Sequence, residues 1–267
     1  MNNLDALKKN TLLEIENLDL SFPIRLYKHS SARDFFIQAI KSPWSIFQKT
    51  NENPILKNIT QKILKNDRIA LIGLNGSGKT SLCRCLAGIL VPNRGNILKN
   101  CQIRSVIQTE AGFYSDLTGR ENAHLLSFFL YNSLSNKDRL AVVNESLDFS
   151  ELGAYVDAPL STYSMGMKSR LSLALTTALP QELLVLDEVY SHADEFFQNK
   201  IQARIERQIK SSGAVIMVSH YEKDFINLCN RGIVLHEGEI KYDGNLTTAL
   251  EAYRFMNGPN RDGCHER

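Results

Sequence analysis

Residues 73–80 read GLNGSGKT, directly after the short apolar run RIALI at 68–72 and before a helical pattern at 81–90. This is the Gly-x-x-x-x-Gly-Lys-Thr pattern of a phosphate-binding loop, in the strand–loop–helix setting that such loops require. The glycines let the backbone wrap closely around phosphates, and the helix adds positive charge at its N-terminus. Lys79 can reach the β- and γ-phosphates, and the Thr80 hydroxyl can ligate Mg2+. The loop alone predicts a nucleoside triphosphate site, because unrelated kinases and GTPases share it.

The composition is that of an ordinary soluble globular protein, with 43% hydrophobic and 22% charged residues among 267. This length is typical of one domain, with or without a small subdomain. The net charge of +2 is too close to zero to favour a nucleic-acid partner. No window approaches 18 consecutive apolar residues, so in a membrane process another chain would have to span the bilayer.

The cysteines fit no spacing of a zinc site; they are Cys83, Cys85, Cys101, Cys229 and Cys264. Residues 1–20 lack the apolar stretch of a signal peptide. Both observations favour reduced thiols in a cytosolic protein.

Apolar periodicity predicts strands and helices that alternate along most of the chain. The predicted strands lie at 12–22, 55–66, 68–72, 98–108, 183–186 and 214–219, and a hairpin at 233–242 turns through Glu237-Gly238. The predicted helices lie at 81–90, 118–130, 136–152, 165–179 and 195–211. Such alternation predicts an α/β fold with a mostly parallel core sheet and an antiparallel β flank.

Two further strand ends carry polar side chains suited to nucleotide chemistry. The run LLVLD at 183–187 ends in Asp187, which can hold Mg2+, and Glu188 follows in place to act as general base towards water. This pair could also be an ordinary exposed strand end, but a phosphate loop in the same chain favours the catalytic interpretation. His220 follows another apolar strand, and the carboxyl ends of parallel strands line the ligand crevice, so it would lie near the γ-phosphate.

The stretch TYSMGM at 162–167 leads into the helix predicted at 165–179 and lies upstream of Asp187. The order of phosphate loop, Gln108, this stretch, Asp187-Glu188 and His220 resembles that of the ATP-binding cassette (ABC) ATPases. The resemblance covers residues 12–255 and implies a single domain of the P-loop NTPase type. The implied parts are a RecA-like core with the antiparallel flank at 12–110 and 160–255, a helical subdomain at 111–160 and a polar tail at 256–267.

The resemblance also implies a role for each matching residue, with ATP and Mg2+ as the bound species. The implied phosphate contacts are Gly73, Asn75, Gly76, Ser77, Gly78, Lys79, Thr80 and Ser81. The implied catalytic residues are Lys79, Gln108, Glu188 and His220, and the implied Mg2+ site uses Thr80, Gln108 and Asp187. Phe22 is expected to stack on adenine, with Tyr27 as a weaker candidate. Ser164 and Gly166 are expected to contact the γ-phosphate held by the opposite subunit of a homodimer.

Several details resemble the bacterial polysaccharide and polyol-phosphate exporters, which handle capsule, O-antigen or teichoic acid. They are GF at 112–113, DLTGREN at 116–122, YSMGM at 163–167 and DEV at 187–189. The sequence departs from that subgroup in three places: Gln108 stands where many members have Glu, SHAD at 191–194 replaces a usual small-residue segment, and Met165 stands where a small residue is commoner. Because only a short segment follows the last predicted strand, the shorter type without a sugar-binding domain is expected.

The resemblance therefore implies an ATPase subunit that drives a lipid-linked polysaccharide across the cytoplasmic membrane through a separate permease. Such a subunit would sit on the cytoplasmic face of the bacterial inner membrane. The ATPase of a drug or small-solute ABC transporter is an alternative, and a soluble ABC ATPase that acts on DNA is less consistent. The latter would need coiled-coil or zinc insertions, and the gap between Lys79 and Ser164 has neither heptads nor paired cysteines.

The segment 31–48 has two interpretations. Its apolar residues fall at helical spacing and Trp44 lies among lysines, so it could be an amphipathic element that contacts the permease, lipid headgroups or the glycan. Alternatively, it is a long loop whose aromatic residues pack on the antiparallel flank, and this second interpretation is slightly favoured.

Overall fold

The computed structural model describes residues 10–23, 52–107, 112–187, 195–219 and 222–257. The expectations for segment 31–48 and for residues 258–267 of the tail fall outside these ranges. The described strands are, in chain order, β1 (Thr11–Pro23), β2 (Glu52–Leu64), β3 (Arg68–Ile72), β4 (Arg94–Lys99), β5 (Ile103–Ile107), β6 (Leu183–Asp187), β7 (Ala214–Val218), β8 (Arg231–His236) and β9 (Glu239–Asn245).

The described helices are α1 (Lys79–Ala87), α2 (Gly119–Leu130), α3 (Asn136–Ser150), α4 (Met165–Thr176), α5 (Glu195–Ser211), α6 (Glu222–Ile226) and α7 (Leu246–Asn257). Short 3-10 turns lie at Gly153–Asp157 and Leu160–Thr162. Each of these helices is too short or too polar to cross a bilayer.

The smaller sheet is antiparallel, with strand order β2-β1-β4. Alternate residues of β1 are buried, but Leu13 and Ile15 are in one phase and Leu18 and Leu20 in the other. The phase changes at Asn17, which has a positive φ of 47° and lies where the pairing with β2 shifts register. A bulge of this kind adds one residue to a strand, so both halves of β1 keep their apolar side chains on the core face.

The larger sheet has the order β5-β6-β7-β3-β8-β9 and is parallel except for β9, which pairs antiparallel with β8. Strand β7 is apolar throughout and β6 is apolar up to its last residue, Asp187, and both strands are buried at every position. This is expected of parallel strands that are covered on both faces.

Two buried clusters cover the two faces of this sheet. Along β3, Ile69 and Leu71 belong to the cluster that also contains residues of β1, β2 and α1, whereas Ala70 and Ile72 belong to the cluster with α5 and α7. A third cluster joins α2, α3 and α4, with Ala123, Val143 and Leu171 at its centre. The helical region 112–176 thus has a core of its own, and the proposed subdomain boundaries at 111 and 160 stay a prediction.

Several predicted elements differ in extent from the observed ones, and two of these differences have a clear physical reason. The predicted strand 98–108 is two strands in different sheets: β4 pairs with β1, and β5 pairs with β6. The chain changes sheets at Asn100, whose N–H donates to the Leu12 carbonyl at 2.9 Å. Helix α1 ends at Ala87 rather than at 90, because Gly88 adopts a left-handed φ of 80° and its N–H returns to the preceding turn.

The short helix α6 and the helix α7 were not predicted. Gly232 of β8 explains the place of α7, because a side chain at this position would overlap the Ala249 methyl group. Helix α7 therefore packs closely on the sheet at a point that its own sequence does not indicate.

Candidate nucleotide-binding site

Four strands that lead towards predicted site residues end at one edge of the larger sheet. In the register of the parallel strands, Ile107 lies opposite Asp187, and Asp187 lies opposite Val218. Strand β3 is parallel to β7 and ends at Ile72, directly before the loop 73–80. The ends of β3, β5, β6 and β7 therefore meet at the same edge, where ligands bind in open α/β sheets.

Two glycines of the loop 73–80 have the backbone conformation for which such a loop needs glycine. Gly76 and Gly78 have positive φ values of 82° and 106°, which residues with side chains rarely adopt. A side chain at Gly78 would also lie 2.8 Å from a Leu56 methyl carbon. Loop and antiparallel sheet are therefore in direct contact.

Lys79 begins α1, and its side chain folds back over the loop. The Nζ atom donates to the carbonyl oxygens of Gly73 at 2.6 Å and Leu74 at 3.0 Å. Only 8% of Lys79 is exposed. The loop thus surrounds a buried positive charge, which is the electrostatic condition for binding a polyphosphate.

The polar groups around the loop fit a phosphate chain. Gly78 precedes α1 and no side chain caps the N-terminus of that helix, which is the end of a helix that attracts anions. The Ser77 hydroxyl is buried and has no hydrogen-bond partner among the described residues. Phosphate oxygens would satisfy both the helix N-terminus and this hydroxyl.

Asp187 lies close to α1 on the side of the predicted Mg2+ site. Burial raises the pKa of the Cys83 thiol well above its ordinary value, the Asp187 carboxylate raises it further, and the Lys79 ammonium lowers it. The Asp187 and Lys79 side chains therefore each lie near the Cys83 thiol. Thr80 is three residues before Cys83 and shares its face of the helix. A hydroxyl and a buried carboxylate are oxygen ligands of the kind that Mg2+ prefers.

A Mg2+ ion at this place would depend on the nucleotide. Among the described residues no group of three His, Cys, Asp or Glu side chains could hold a metal ion. Mg2+ usually keeps few protein ligands and completes its shell with phosphate oxygens and water. Thr80 and Asp187 fit that arrangement.

The stretch 162–167 lies at the surface, on the helical region. Ser164 is exposed and caps α4, since its Oγ accepts from the Met167 N–H at 3.2 Å. Tyr163 is buried beside it and donates to the Tyr155 carbonyl at 2.5 Å. Around Gly166 the space is open, since an added side chain would meet only the Ser164 hydroxyl, at 3.8 Å. The start of α4 can therefore be reached by another molecule.

Of the remaining predicted site residues, the structure describes Phe22. Phe22 is the penultimate residue of β1 and is 43% exposed, so its ring is open to stacking. Gln108, Glu188, His220 and Tyr27 lie outside the described residues. The strands that end just before the first three of these are described, and their ends lie at the edge defined above.

One contact of the loop was missed by sequence reasoning. The N–H of Gly238, in the turn between β8 and β9, donates to the Ser77 carbonyl at 3.1 Å. The sequence predicts the turn itself, but no local pattern indicates that it packs against a loop so distant in the chain.

Comparisons with known proteins give a consistent family. The family described as "ABC transporter" matches residues 56–191. The polysialic acid transport ATP-binding protein KpsT of Escherichia coli is 36% identical over 210 residues, which are 77% of this chain and 92% of that protein. The O-antigen export system ATP-binding protein RfbB of Klebsiella pneumoniae is 27% identical over 245 residues, 91% of this chain and 97% of that protein.

A longer relative and solved structures extend this picture. The teichoic acids export ATP-binding protein TagH of Enterococcus faecalis is 32% identical over 232 residues, but the match spans only 51% of that protein. Among solved structures, an ATP-binding subunit of an ABC transporter superposes with a TM-score of 0.66 at 21% identity, over 91% of this chain and 94% of the other. The ATP-binding cassette MJ0796, described as a dimer bound to ADP and Pi, superposes with a TM-score of 0.64 at 18% identity, over 88% and 98%. These superpositions establish the fold.

Proposed function

The chain belongs to the ABC transporter family, and on this basis we propose that it is the ATP-hydrolysing subunit of a bacterial polysaccharide exporter. The observation that carries the ATPase assignment is the buried Lys79 within the loop 73–80, with the buried Asp187 at the end of β6 on the same sheet edge. The relatives named for polysialic acid, O-antigen and teichoic acid export support the choice of a lipid-linked glycan as the transported species.

In this proposal the chain holds ATP through its loop and its first helix. The loop N–H groups, Lys79 and the start of α1 bind the phosphates, while Thr80 and Asp187 hold Mg2+. The bound Mg2+ supplies positive charge that offsets charge developing on the phosphates. Glu188 accepts a proton from the attacking water, and His220 donates a hydrogen bond to the γ-phosphate. Gln108 contacts Mg2+ and the attacking water.

The proposed enzyme works as a homodimer. Ser164 and Gly166 begin α4 at an exposed place, where a helix N-terminus can meet an anion carried by a second copy. Each ATP would then lie between Lys79 of one subunit and Ser164 of the other. A solved neighbour described as dimeric supports this arrangement.

The proposed partner in the membrane is a separate permease. Closure of the dimer on ATP and its reopening after hydrolysis would move the helical region, and this motion would reach the permease through the surface near Gln108. The subunit would accordingly bind to the cytoplasmic face of the inner membrane.

Genetic complementation tests the proposal. Cells that lack the chain are expected to retain lipid-linked polysaccharide inside and to lose it from the surface. Wild-type protein should restore export, whereas Glu188→Gln at an equal protein level should not, and a polytopic membrane protein should co-purify with both. Unchanged surface polysaccharide together with a defect in drug or small-solute transport would favour the alternative transporter class.

A further inference from the structure

The turn between β8 and β9 joins two parts of the molecule that are far apart in sequence. Gly238 donates its N–H to the Ser77 carbonyl in the phosphate loop at 3.1 Å. Its own carbonyl accepts from the Lys57 N–H in β2 at 2.8 Å. A single residue therefore connects the phosphate loop to the antiparallel sheet through backbone hydrogen bonds.

The position requires glycine for two independent reasons. Glu237 and Gly238 both have positive φ values, 49° and 82°, as in the type I′ turns that join twisted antiparallel strands. In addition, a side chain at 238 would overlap the carbonyl oxygen of Ile55 in β2. Even alanine would thus push the turn away from β2 and from the Ser77 carbonyl.

Strand β8 also supports the beginning of the phosphate loop. A side chain at Gly73 would overlap the carbonyl oxygen of Leu235, the buried residue near the end of β8. The end of β8 and its turn therefore lie against both Gly73 and Ser77. These two contacts fix the backbone of the phosphate loop on the side that faces the β8–β9 hairpin.

The hydrogen bond from the Gly238 N–H to the Ser77 carbonyl also determines the direction of the Gly78 N–H, because the two groups belong to the same peptide. In a trans peptide the carbonyl of one residue and the N–H of the next point in opposite directions. Because the Ser77 carbonyl points towards the Gly238 N–H, the Gly78 N–H is directed away from Gly238. Phosphate loops bind by N–H groups that converge on the ligand, so the orientation of this peptide matters for affinity.

We propose that Gly238 is a positioning residue for ATP binding, which fixes the Ser77–Gly78 peptide so that the Gly78 N–H faces the phosphates. The proposal rests on the proposed function of the loop as an ATP site. It adds a residue outside the nucleotide motifs that acts through the loop backbone and does not touch the ligand.

Two glycines elsewhere provide matched controls. Gly95 in β4 has the same φ of 82°, and a side chain there would overlap backbone carbonyl oxygens of Glu16 and Asn17. Gly153 has a positive φ of 55° and nothing within 4 Å of an added side chain. Gly95→Ala therefore introduces the same backbone strain and a similar overlap with carbonyl oxygens, but away from the phosphate loop. Gly153→Ala introduces backbone strain without any overlap.

The test compares ATP affinity among these variants by titration with a fluorescent ATP analogue. Gly238→Ala is expected to weaken binding by roughly 10- to 100-fold, since it misdirects a donor to a charged acceptor. Gly95→Ala should lose a similar amount of thermal stability and bind normally, and Gly153→Ala should bind normally too. Hydrogen exchange should rise within 73–80 only in Gly238→Ala. Equal losses of affinity in Gly238→Ala and Gly95→Ala, or normal binding by Gly238→Ala, would overturn the proposal.

A measurement on the unaltered protein covers the case in which Gly238→Ala does not fold. Residue-resolved hydrogen exchange should show the Gly238 amide more protected when a non-hydrolysable ATP analogue is added. The Gly213 amide, which donates to the Gln181 carbonyl at 3.1 Å, should be unaffected. A Gly238 amide that is indifferent to the nucleotide would reject the proposal. If instead the wild-type protein binds no ATP, and Lys79→Ala changes nothing, the proposed function itself is wrong.

Discussion

The Lys79 ammonium is buried yet hydrogen-bonded to carbonyl oxygens of its own loop. Such dipoles partly compensate for the water that a buried charge loses, but an anion compensates far better. A phosphate that enters such a site stabilises the buried charge, so binding is favourable. The affinity for ATP is therefore expected to depend strongly on this one side chain.

Lys79→Ala should raise the Kd for a fluorescent ATP analogue by roughly 10- to 100-fold, because it removes a charged donor. Lys79→Arg, which keeps the charge on a larger planar group, should bind with intermediate affinity. Lys137→Ala, at an exposed position in the first turn of α3, has the same change in net charge and should leave binding unaltered. Affinity that is insensitive to Lys79→Ala would remove this residue from the site.

At the scale of elements, the hairpin β8–β9 is anchored at its turn by Gly238 and at its other end by Arg231. The Arg231 guanidinium donates to both Asp243 oxygens, each at 2.7 Å, and to Asp67 at 2.7 Å. Burial acts to raise the pKa of Asp243, but the hydrogen bonds and charge of Arg231 outweigh it, so the pKa is lowered. The group then stabilises the fold above the ordinary Asp pKa, and this contribution is lost as the pH falls through the lowered value.

Asp243→Asn is expected to reduce the free energy of unfolding by about 1 kcal/mol at pH 7, since solvent screens part of this exposed but multiply hydrogen-bonded charge. The difference from wild type should shrink as the pH falls below the ordinary Asp pKa of about 3.9. Urea unfolding at several pH values measures it. Glu239→Gln, which breaks the exposed pair with Lys241 in the same hairpin, should have little effect. A pH-independent loss in Asp243→Asn would contradict the role assigned to its charge.

At the scale of the whole molecule, the two halves of the proposed site lie on different parts of the chain. Lys79 belongs to α1, which packs in the cluster under the antiparallel sheet, and Ser164 caps α4, which packs in the helical region. The described hydrogen bonds of Ser164 remain within its own helix. A second copy would bring the two halves together.

Dimerisation with ATP tests this arrangement. Glu188→Gln is expected to slow hydrolysis by roughly 10²–10⁴-fold and to accumulate as an ATP-bound dimer, detectable by light scattering. In the Glu188→Gln background, Ser164→Ala should lower the fraction of dimer, whereas Ser164→Thr should leave that fraction unchanged. Ser135→Ala is the control, because Ser135 caps α3 with the same 3.2 Å bond to a backbone N–H. A Ser164→Ala protein that dimerises as well as the Ser135→Ala control would refute the shared site.

Much of this molecule could be predicted from the sequence where a local pattern carries the information. The α/β fold of the ABC type is confirmed, and the bounds of α5 and the turn at Glu237-Gly238 match the structure. Helix α1 was predicted too long because apolar periodicity continues past Gly88, whereas the left-handed backbone of that glycine ends the helix. The site roles of Gln108, Glu188 and His220 stay predictions, since these residues lie outside the described ranges.

The sequence by itself determined the phosphate loop, the strand that ends at Asp187 and the family, because each depends on residue types at fixed short spacings. Only the tertiary structure decided that the chain changes sheets at Asn100, that α7 packs against Gly232, and that Gly238 holds the Ser77 carbonyl. These features are contacts between segments that are separated in the chain. Their geometry follows from how the two sheets and the helices pack together, and neither partner's local sequence specifies the other.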